Sequence, residues 1–323
     1  MTGLRFCAVD GPRLGLHLAA EFARRWPVYR NWFRRDGGAA RPDYRTCRLM
    51  LERYMPELAP FYDRLVTILG ADDEQARFLS LWCPPNFMHG CTQAIWRRQP
   101  YGLIRNYDYA PGFCDAMLLR SNWFGSPVLA MSDCVWGALD GMNTAGLAVS
   151  LSFGGRLVAG PGFGVTLILR YILETCRNAR DALAVLRRVP VHLSYNIALI
   201  DRDGAWYSVA IAPDRPPEVG PNPFSANRQG EHAWPEDQIV SDTVRREVIL
   251  AACLDNPAQT EAGLIVDFLN RPLYRPVSDG GWGTLYTAAY RPAEGVMQLC
   301  WPGQRWKQSL AAFTEGERLV VYQ

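Results

Sequence analysis

Residues 84–96 read PPNFMHGCTQAIW, and the reading of this stretch decides the fold. Two prolines end any regular structure before them, because proline lacks an amide donor and restricts the residue that precedes it. Gly90 then removes a side chain directly ahead of Cys91, and the residues from Cys91 to Trp96 have the texture of a strand. Helical spacing lies upstream of this point and short strands lie downstream.

Upstream, residues 1 to about 83 read as helical. LGLHLAAEFARRW follows the break at Gly11-Pro12. YRTCRLMLERYMPELAPFYDRLVTIL places apolar residues three and four apart, with interruptions at Pro56 and Pro60. DDEQARFLSLW opens with carboxylates, which favour a helix N-terminus. Downstream, CTQAIWRR, YGLIRNYDY, AMLLRSNW, PVLAMSD, VWGALDGMN and GLAVSLSF are strand-like runs separated by turn residues. Asn-Thr-Ala-Gly at 143–146 marks a hairpin.

A helical pair follows. VTLILRYILETC is apolar on nearly every side and should be well buried, while NARDALAVLRRV starts at Asn178, a good N-cap. NIALIDRDGAWYSVAI turns at Asp203-Gly204. SDTVRREVILAAC and TEAGLIVDFLN read as two more helices with Ser241 and Thr260 as N-caps, and the chain closes with the strands GTLYTAAYRP and GVMQLCWPG. Strands grouped with strands favour antiparallel sheets over βαβ winding, which makes the class α+β. The one boundary that composition marks is at Gly90/Cys91. It separates a helical N-terminal segment, 1–90, from a main domain, 91–323.

Composition narrows the function. The chain has 323 residues, 49% hydrophobic and 20% charged, the mix of a soluble globular protein. Its net charge of +2 is spread without a basic tract, which argues against a nucleic-acid partner. No apolar run has the length of a membrane span, and Asp10, Gly11 and Pro12 interrupt the N-terminus too early for a signal peptide. The nine cysteines are an odd number with no CxxC pair, which argues against a disulfide framework or a zinc site. A reducing cytoplasm is expected, with no metal and no cofactor.

Most of the cysteines read as small buried hydrophobes. Cys91 differs, because Gly90 lets the thiol approach the carbonyl just ahead of it. Attack there is an N-to-S acyl shift. Hydrolysis would then split the chain and free an α-amine, of pKa about 7.7–8.0, to serve as base for its own thiol. Cys91 is therefore expected to be alkylated ahead of the other cysteines. Arg105 and Asp108 lie three apart in RNYDY. They read either as a surface ion pair of small value or as a thiol-activating cation with an orienting carboxylate. Asn143 and Asn227 are turn or loop residues on one reading and oxyanion donors on the other.

Taken together these residues resemble a family. GCTQ (90–93), RNYDY (105–109), DGMNTAGLAVSLSF (140–153), RYILETCRNARDALAVLRRVP (170–190), NIALIDRDG (196–204), ANRQG (226–230) and GTLYTAAYRP (283–292) occur in the family's order. The chain is similar to the acyl-coenzyme A:6-aminopenicillanic acid acyltransferase-like N-terminal nucleophile (Ntn) hydrolases, relatives of choloylglycine hydrolase and penicillin V acylase. The resemblance implies a four-layer αββα sandwich of two antiparallel sheets, with the helix pair at 165–189 in one outer layer. It implies self-cleavage between Gly90 and Cys91, which makes residues 1–90 a pro-segment or small chain. Cys91 aligns with the nucleophile, Arg105 and Asp108 with the active-site Arg and Asp, Asn143 with an oxyanion-hole Asn, and Asn227 with the later Asn. A further active-site Arg falls at Arg245 or Arg246.

The implied activity is hydrolysis, or acyl transfer, of a carbon–nitrogen amide in a small molecule or peptide. An acyl-CoA or amine acceptor and a homo-oligomer are both compatible with it. Two other readings compete. A non-catalytic binding or scaffold protein would keep the sheets and drop the reaction, and Asn227-Arg228, where the acyltransferase branch often has Asn-His, favours it. A thiol redox sensor at Cys91 would leave Gly90, Asn143 and Asn227 without a purpose.

Overall fold

Alternation along the strands sends successive side chains to opposite faces, and here both faces of the central strands are covered. A computed structural model describes residues 2–11, 14–35, 41–86, 90–230, 241–277 and 281–322. Residues 87–89 of the opening stretch lie outside these.

The first sheet is built from nine strands. In chain order these are β1 (Thr2–Asp10), β4 (Met117–Ser121), β5 (Val128–Asp133), β6 (Gly137–Asn143), β7 (Leu147–Phe153), β8 (Tyr195–Asp201), β9 (Trp206–Ala212), β10 (Arg215–Gly220) and β15 (Gly316–Tyr322). They lie side by side in the order β10-β9-β8-β7-β6-β5-β4-β1-β15. The second sheet has six, β2 (Gly90–Trp96), β3 (Gly102–Tyr109), β11 (Phe224–Ser225), β12 (Gly283–Arg291), β13 (Val296–Trp301) and β14 (Gln304–Ser309). Their order is β11-β2-β3-β12-β13-β14. All pairings are antiparallel except β1 with β4.

The sheets face each other across one core, in which Phe6, Leu118, Leu129, Met131, Met142, Tyr286 and Leu299 are buried with Cys91. The alternate residues of β5, Val128 and Ala130, face the other way. They meet a helical layer made of α1 (Leu14–Phe33), α2 (Tyr44–Tyr54), α3 (Ala59–Leu69), α4 (Asp73–Leu79), α5 (Val165–Thr175) and α6 (Ala179–Arg188). A second layer, α7 (Thr243–Asp255) and α8 (Glu261–Phe268), packs on the outer face of the six-stranded sheet through Leu250, Leu264, Ile265 and Phe268. The result is the four-layer αββα sandwich.

Local chemistry starts and stops the elements as expected at several points. Asn178 caps α6 by accepting from the Asp181 N–H, and Thr260 caps α8 by accepting from the Gly263 N–H. Every residue of α5 from Val165 to Glu174 is buried. Gly146, at φ +91°, closes the β6–β7 hairpin in a conformation that disfavours a side chain.

Some expectations are corrected. Residues 2–10 are a strand, not a helix. Cys7, Ala8 and Val9 pair with Met117, Leu118 and Leu119 on one side, and the same strand pairs with β15 on the other. The N-terminus is therefore stitched into the main sheet. Strands β10 and β14 were not anticipated, because their polar composition hides the period of two, and neither was β15, whose apolar run LVVY has no alternation. The residue ahead of α7 is Asp242 rather than Ser241.

Candidate active site

Strands β2 and β3 pair with Gly90 opposite Asp108, Cys91 opposite Tyr107 and Gln93 opposite Arg105. Alternation therefore puts Cys91 and Arg105 between the sheets and turns Thr92 and Asp108 toward the outer helices. Gly90 is required by close approach. A β-carbon there would lie 2.6 Å from the Trp282 ring and 3.1 Å from the Asp108 β-carbon.

Between the sheets, Arg105 donates to Cys91 Sγ at 3.1 Å and to the Leu151 carbonyl at 2.9 Å. It also reaches the Tyr286 hydroxyl at 3.2 Å and forms an ion pair with Asp140. Tyr286 donates to Asp140 at 2.7 Å, and Tyr290 donates to the same carboxylate. Burial and the Asp140 charge hold both phenols well above their ordinary range. Arg105 and Asp140 are both fully buried. A buried pair is tolerated only with such complete hydrogen bonding.

Toward the helices, Arg246 of α7 donates to the Cys91 carbonyl at 3.3 Å, Thr92 Oγ1 at 2.5 Å, Asp108 at 3.1 Å and Asn227 Oδ1 at 2.9 Å. Asp108 also accepts from Thr284 Oγ1 at 2.7 Å. Asn227 Oδ1 accepts the Cys91 N–H at 3.1 Å, and Asn227 Nδ2 donates to the Phe153 carbonyl at 3.2 Å. The open choice between the adjacent arginines thus falls on Arg246. Arg245 points away, with its side chain 68% exposed and 3.7 Å from Asp242, because neighbours on a helix face directions about 100° apart.

The structure therefore brings Cys91, Arg105, Asp108, Asn227 and Arg246 together. It does not bring Asn143. On β6, Asp140 faces the inter-sheet core, and an odd step of three residues sends Asn143 to the opposite face. There its amide donates to the carbonyls of Leu173 and Cys176 at the end of α5, while its Oδ1 accepts the Leu147 N–H. The oxyanion expectation for Asn143 is replaced by a helix-capping one. Asn143→Ala should accordingly cost about 1–3 kcal/mol of stability by stranding buried carbonyls. Urea denaturation would show this as a lower midpoint, while any amide turnover by the folded variant stays at the wild-type level.

Asp140, Thr284 and Tyr286 were missed as site residues. Each stands inside a quoted motif, and a carboxylate within a fully buried strand such as β6 was the available signal.

In the intact chain Cys91 is sealed, with no exposed surface. Burial pushes its thiol up to about 11, against the pull of Arg105 and with a further push from Asp108. In the intact chain the expected alkylation order therefore inverts. Iodoacetamide should label the partly exposed Cys7, Cys83 and Cys253 ahead of Cys91. Burial lifts the Cys7 and Cys253 thiols to about 11 as well, so a rise in pH should quicken their labelling too and exposure alone sets the order. Peptide mapping of uncleaved protein that finds Cys91 labelled first at neutral pH would contradict this.

Among the described residues no group of three or more His, Cys, Asp or Glu side chains is arranged to hold a metal ion. None of the helices among them is long and apolar enough to cross a membrane.

Two facing sheets between helical layers, with a cysteine near the start of an inner strand, define the Ntn-hydrolase architecture. The family model for acyl-coenzyme A:6-aminopenicillanic acid acyl-transferase matches residues 97–306, and the chain belongs to that family. The match contains Arg105, Asp108, Asn227 and Arg246 and begins after Cys91. The family is one of amide hydrolases and acyltransferases.

Similar solved structures include penicillin V acylase from Agrobacterium tumefaciens, at 14% identity and TM-score 0.47, covering 68% of this chain and 86% of that one. A mutant of conjugated bile acid hydrolase from Clostridium perfringens is 12% identical with TM-score 0.47, covering 72% and 97%. The Caenorhabditis elegans ortholog of N-acylethanolamine-hydrolyzing acid amidase is 13% identical with TM-score 0.46, covering 72% and 100%. No curated protein matches the chain significantly.

Proposed function

We propose that the chain is a self-processing cysteine amidohydrolase or acyltransferase whose nucleophile is Cys91. The observation that carries this reading is the convergence on one residue. Arg105 holds the sulfur at 3.1 Å, Asn227 holds the backbone N–H at 3.1 Å, and Arg246 holds the carbonyl at 3.3 Å. A cysteine buried merely for packing needs none of these contacts.

In the first reaction the Cys91 sulfur attacks the Gly90 carbonyl. The Gly90–Cys91 peptide bond breaks, a thioester forms, and the proton lost from sulfur ends on the departing Cys91 nitrogen. Water hydrolyses the thioester and leaves Gly90 as a free carboxylate. Because β1 is paired on both sides and α1–α4 share the main helical core, the 1–90 segment would stay bound as the smaller of two chains.

In the second reaction the new α-amine, of pKa about 7.7–8.0, takes the thiol proton. Arg105 stabilises the thiolate. Asp108 and Asn227 Oδ1, both tied to Arg246, accept hydrogen bonds that orient the amine. The thiolate attacks the substrate amide carbonyl, and Asn227 Nδ2, on leaving the Phe153 carbonyl, donates to the oxyanion together with a backbone N–H. The protonated amine returns its proton to the leaving group. Water or an acceptor amine then resolves the thioester. Intact-mass measurement of the wild-type chain and of Cys91→Ala tests the reading, with the outcomes set out in the Discussion.

A further inference from the structure

On β8, Ala198 and Ile200 pack into the core between the sheets, and alternation sends Asn196 to the same face. Asn196 is the polar member of that row, and it is buried. It stands opposite Ser152 of β7, whose hydroxyl is buried beside it.

The Asn196 amide nitrogen donates to the Ala226 carbonyl at 3.0 Å and to the Arg228 carbonyl at 3.1 Å. Ser152 Oγ donates to the same Ala226 carbonyl at 2.7 Å. These acceptors flank Asn227 on either side. Close packing adds to the grip, since a β-carbon on Gly155, at φ +71°, would lie 2.4 Å from the Asn227 carbonyl oxygen. Asn196 is held in turn from the other sheet. Gln93 of β2 donates to the Asn196 carbonyl at 3.1 Å and to Ser225 Oγ at 2.8 Å, and it accepts from Ser150 Oγ at 2.5 Å.

Buried carbonyls need donors, and an asparagine that only supplied them would be ordinary. The choice of acceptors goes further. Strand β11 ends at Ser225, so its pairing with β2 stops short of Asn227. Two anchors straddling that residue fix where its side chain leaves the backbone. Asn227 Oδ1 accepts the N–H of the Gly90–Cys91 bond at 3.1 Å, so a shift of this loop turns the scissile amide relative to the sulfur.

We infer that Asn196 is a positioning residue for the proposed reaction, gripping the carbonyls of Ala226 and Arg228 to set the Asn227 carboxamide against the Cys91 N–H. It acts through Asn227 and rests on Cys91 as the nucleophile. A misplacement of about 1 Å can cost about a hundredfold in rate.

Cleavage of the full chain after cell-free synthesis, followed by intact mass, tests this without any added substrate. Asn196→Ala should cleave about tenfold to a hundredfold more slowly than the wild type. Ser152→Ala removes one of the two donors at Ala226 and should slow cleavage by less. Asn143→Ala is the control. It also removes a buried amide that donates to two carbonyls, but those end α5, and the folded variant should cleave at the wild-type rate. The second readout is hydrogen–deuterium exchange in the Cys91→Ala background, where the proposed mechanism allows no cleavage. Adding Asn196→Ala should speed exchange at residues 225–230 about tenfold, the factor that a lost buried hydrogen bond implies, and leave β5 and β6 unchanged. Adding Asn143→Ala should leave 225–230 as they were.

Cleavage of Asn196→Ala at the wild-type rate overturns the inference. So does unchanged exchange at 225–230, or exchange that rises equally through β5 and β6, since that describes a loosened sandwich rather than a displaced loop. Asn143→Ala slowing cleavage as much as Asn196→Ala overturns it as well. If Asn196→Ala fails to fold, Ser152→Ala decides, and wild-type cleavage with unchanged loop exchange there counts against the clamp. A wild-type chain that stays whole overturns the Cys91 reading and this role together, and the wild-type mass alone identifies that case.

Discussion

Cys91→Ala is expected to leave the purified chain at the mass of the full 323-residue polypeptide, while the wild type gives two fragments meeting at 90/91. On the proposed mechanism alanine removes the sulfur that attacks the Gly90 carbonyl. It should do so without unfolding the protein. Arg105 loses one partner but keeps Asp140, the Tyr286 hydroxyl and the Leu151 carbonyl, so its buried charge stays compensated. The lost sulfur leaves a small void, worth about 1 kcal/mol. Unchanged far-ultraviolet circular dichroism with complete loss of cleavage would separate a missing nucleophile from a collapsed fold. Amide turnover should fall to background in the same variant. Cleavage of the alanine variant at the same bond would point to an outside protease. A wild-type chain that stays whole under every condition would sink the self-processing reading and favour a scaffold.

Much of this architecture was legible because strand runs here are long, apolar and closed by strong turn residues. β6 and β7 with Asn143 to Gly146 between them, and β8 and β9 with Asp203-Gly204, are of this kind. β1 escaped because TGLRFCAVD sits at the end of the chain and owes its structure to partners far away in sequence, at β4 and at β15. Tertiary pairing of this type leaves little local trace. β15 escaped for a related reason, since Leu319 and Val321 are exposed and mask the inward pair Val320 and Tyr322.

For the site, residue types pointed to Cys91, Arg105, Asp108 and Asn227, but not to the faces they occupy. Asn143 shows the limit. Three positions from Asp140 on one strand, it serves the end of a helix on the other side of the sheet. Arg245 and Arg246 show it again. Only the rotation of α7 against β2 separates an exposed arginine from a buried one.

That rotation makes the second large effect a paired one. Arg246→Ala should cost about 3–5 kcal/mol, since it leaves the Asp108 carboxylate buried without its cation. Arg245→Ala should change stability by no more than about 0.5 kcal/mol, as an exposed substitution does. Equilibrium urea denaturation reads both. Loss of a buried charge partner predicts a further result. Adding Asp108→Ala to Arg246→Ala should cost less than the sum of the two single changes, because the double variant has no orphan charge left. A simple packing role for Arg246 would give near-additive costs instead.

Processing gives the independent readout. Arg246 holds the Cys91 carbonyl, Thr92 and Asn227 along with Asp108. Arg246→Lys keeps the charge but replaces the fork with a single ammonium, which cannot span Asp108 and Asn227 together. It should recover much of the stability yet accumulate uncleaved chain. If Arg246→Lys processes at the wild-type rate, the arginine serves only to neutralise Asp108, and its part in aligning Cys91 is wrong. If Arg246→Ala proves no more costly than Arg245→Ala, the buried network drawn around Asp108 does not govern this face of the sheet.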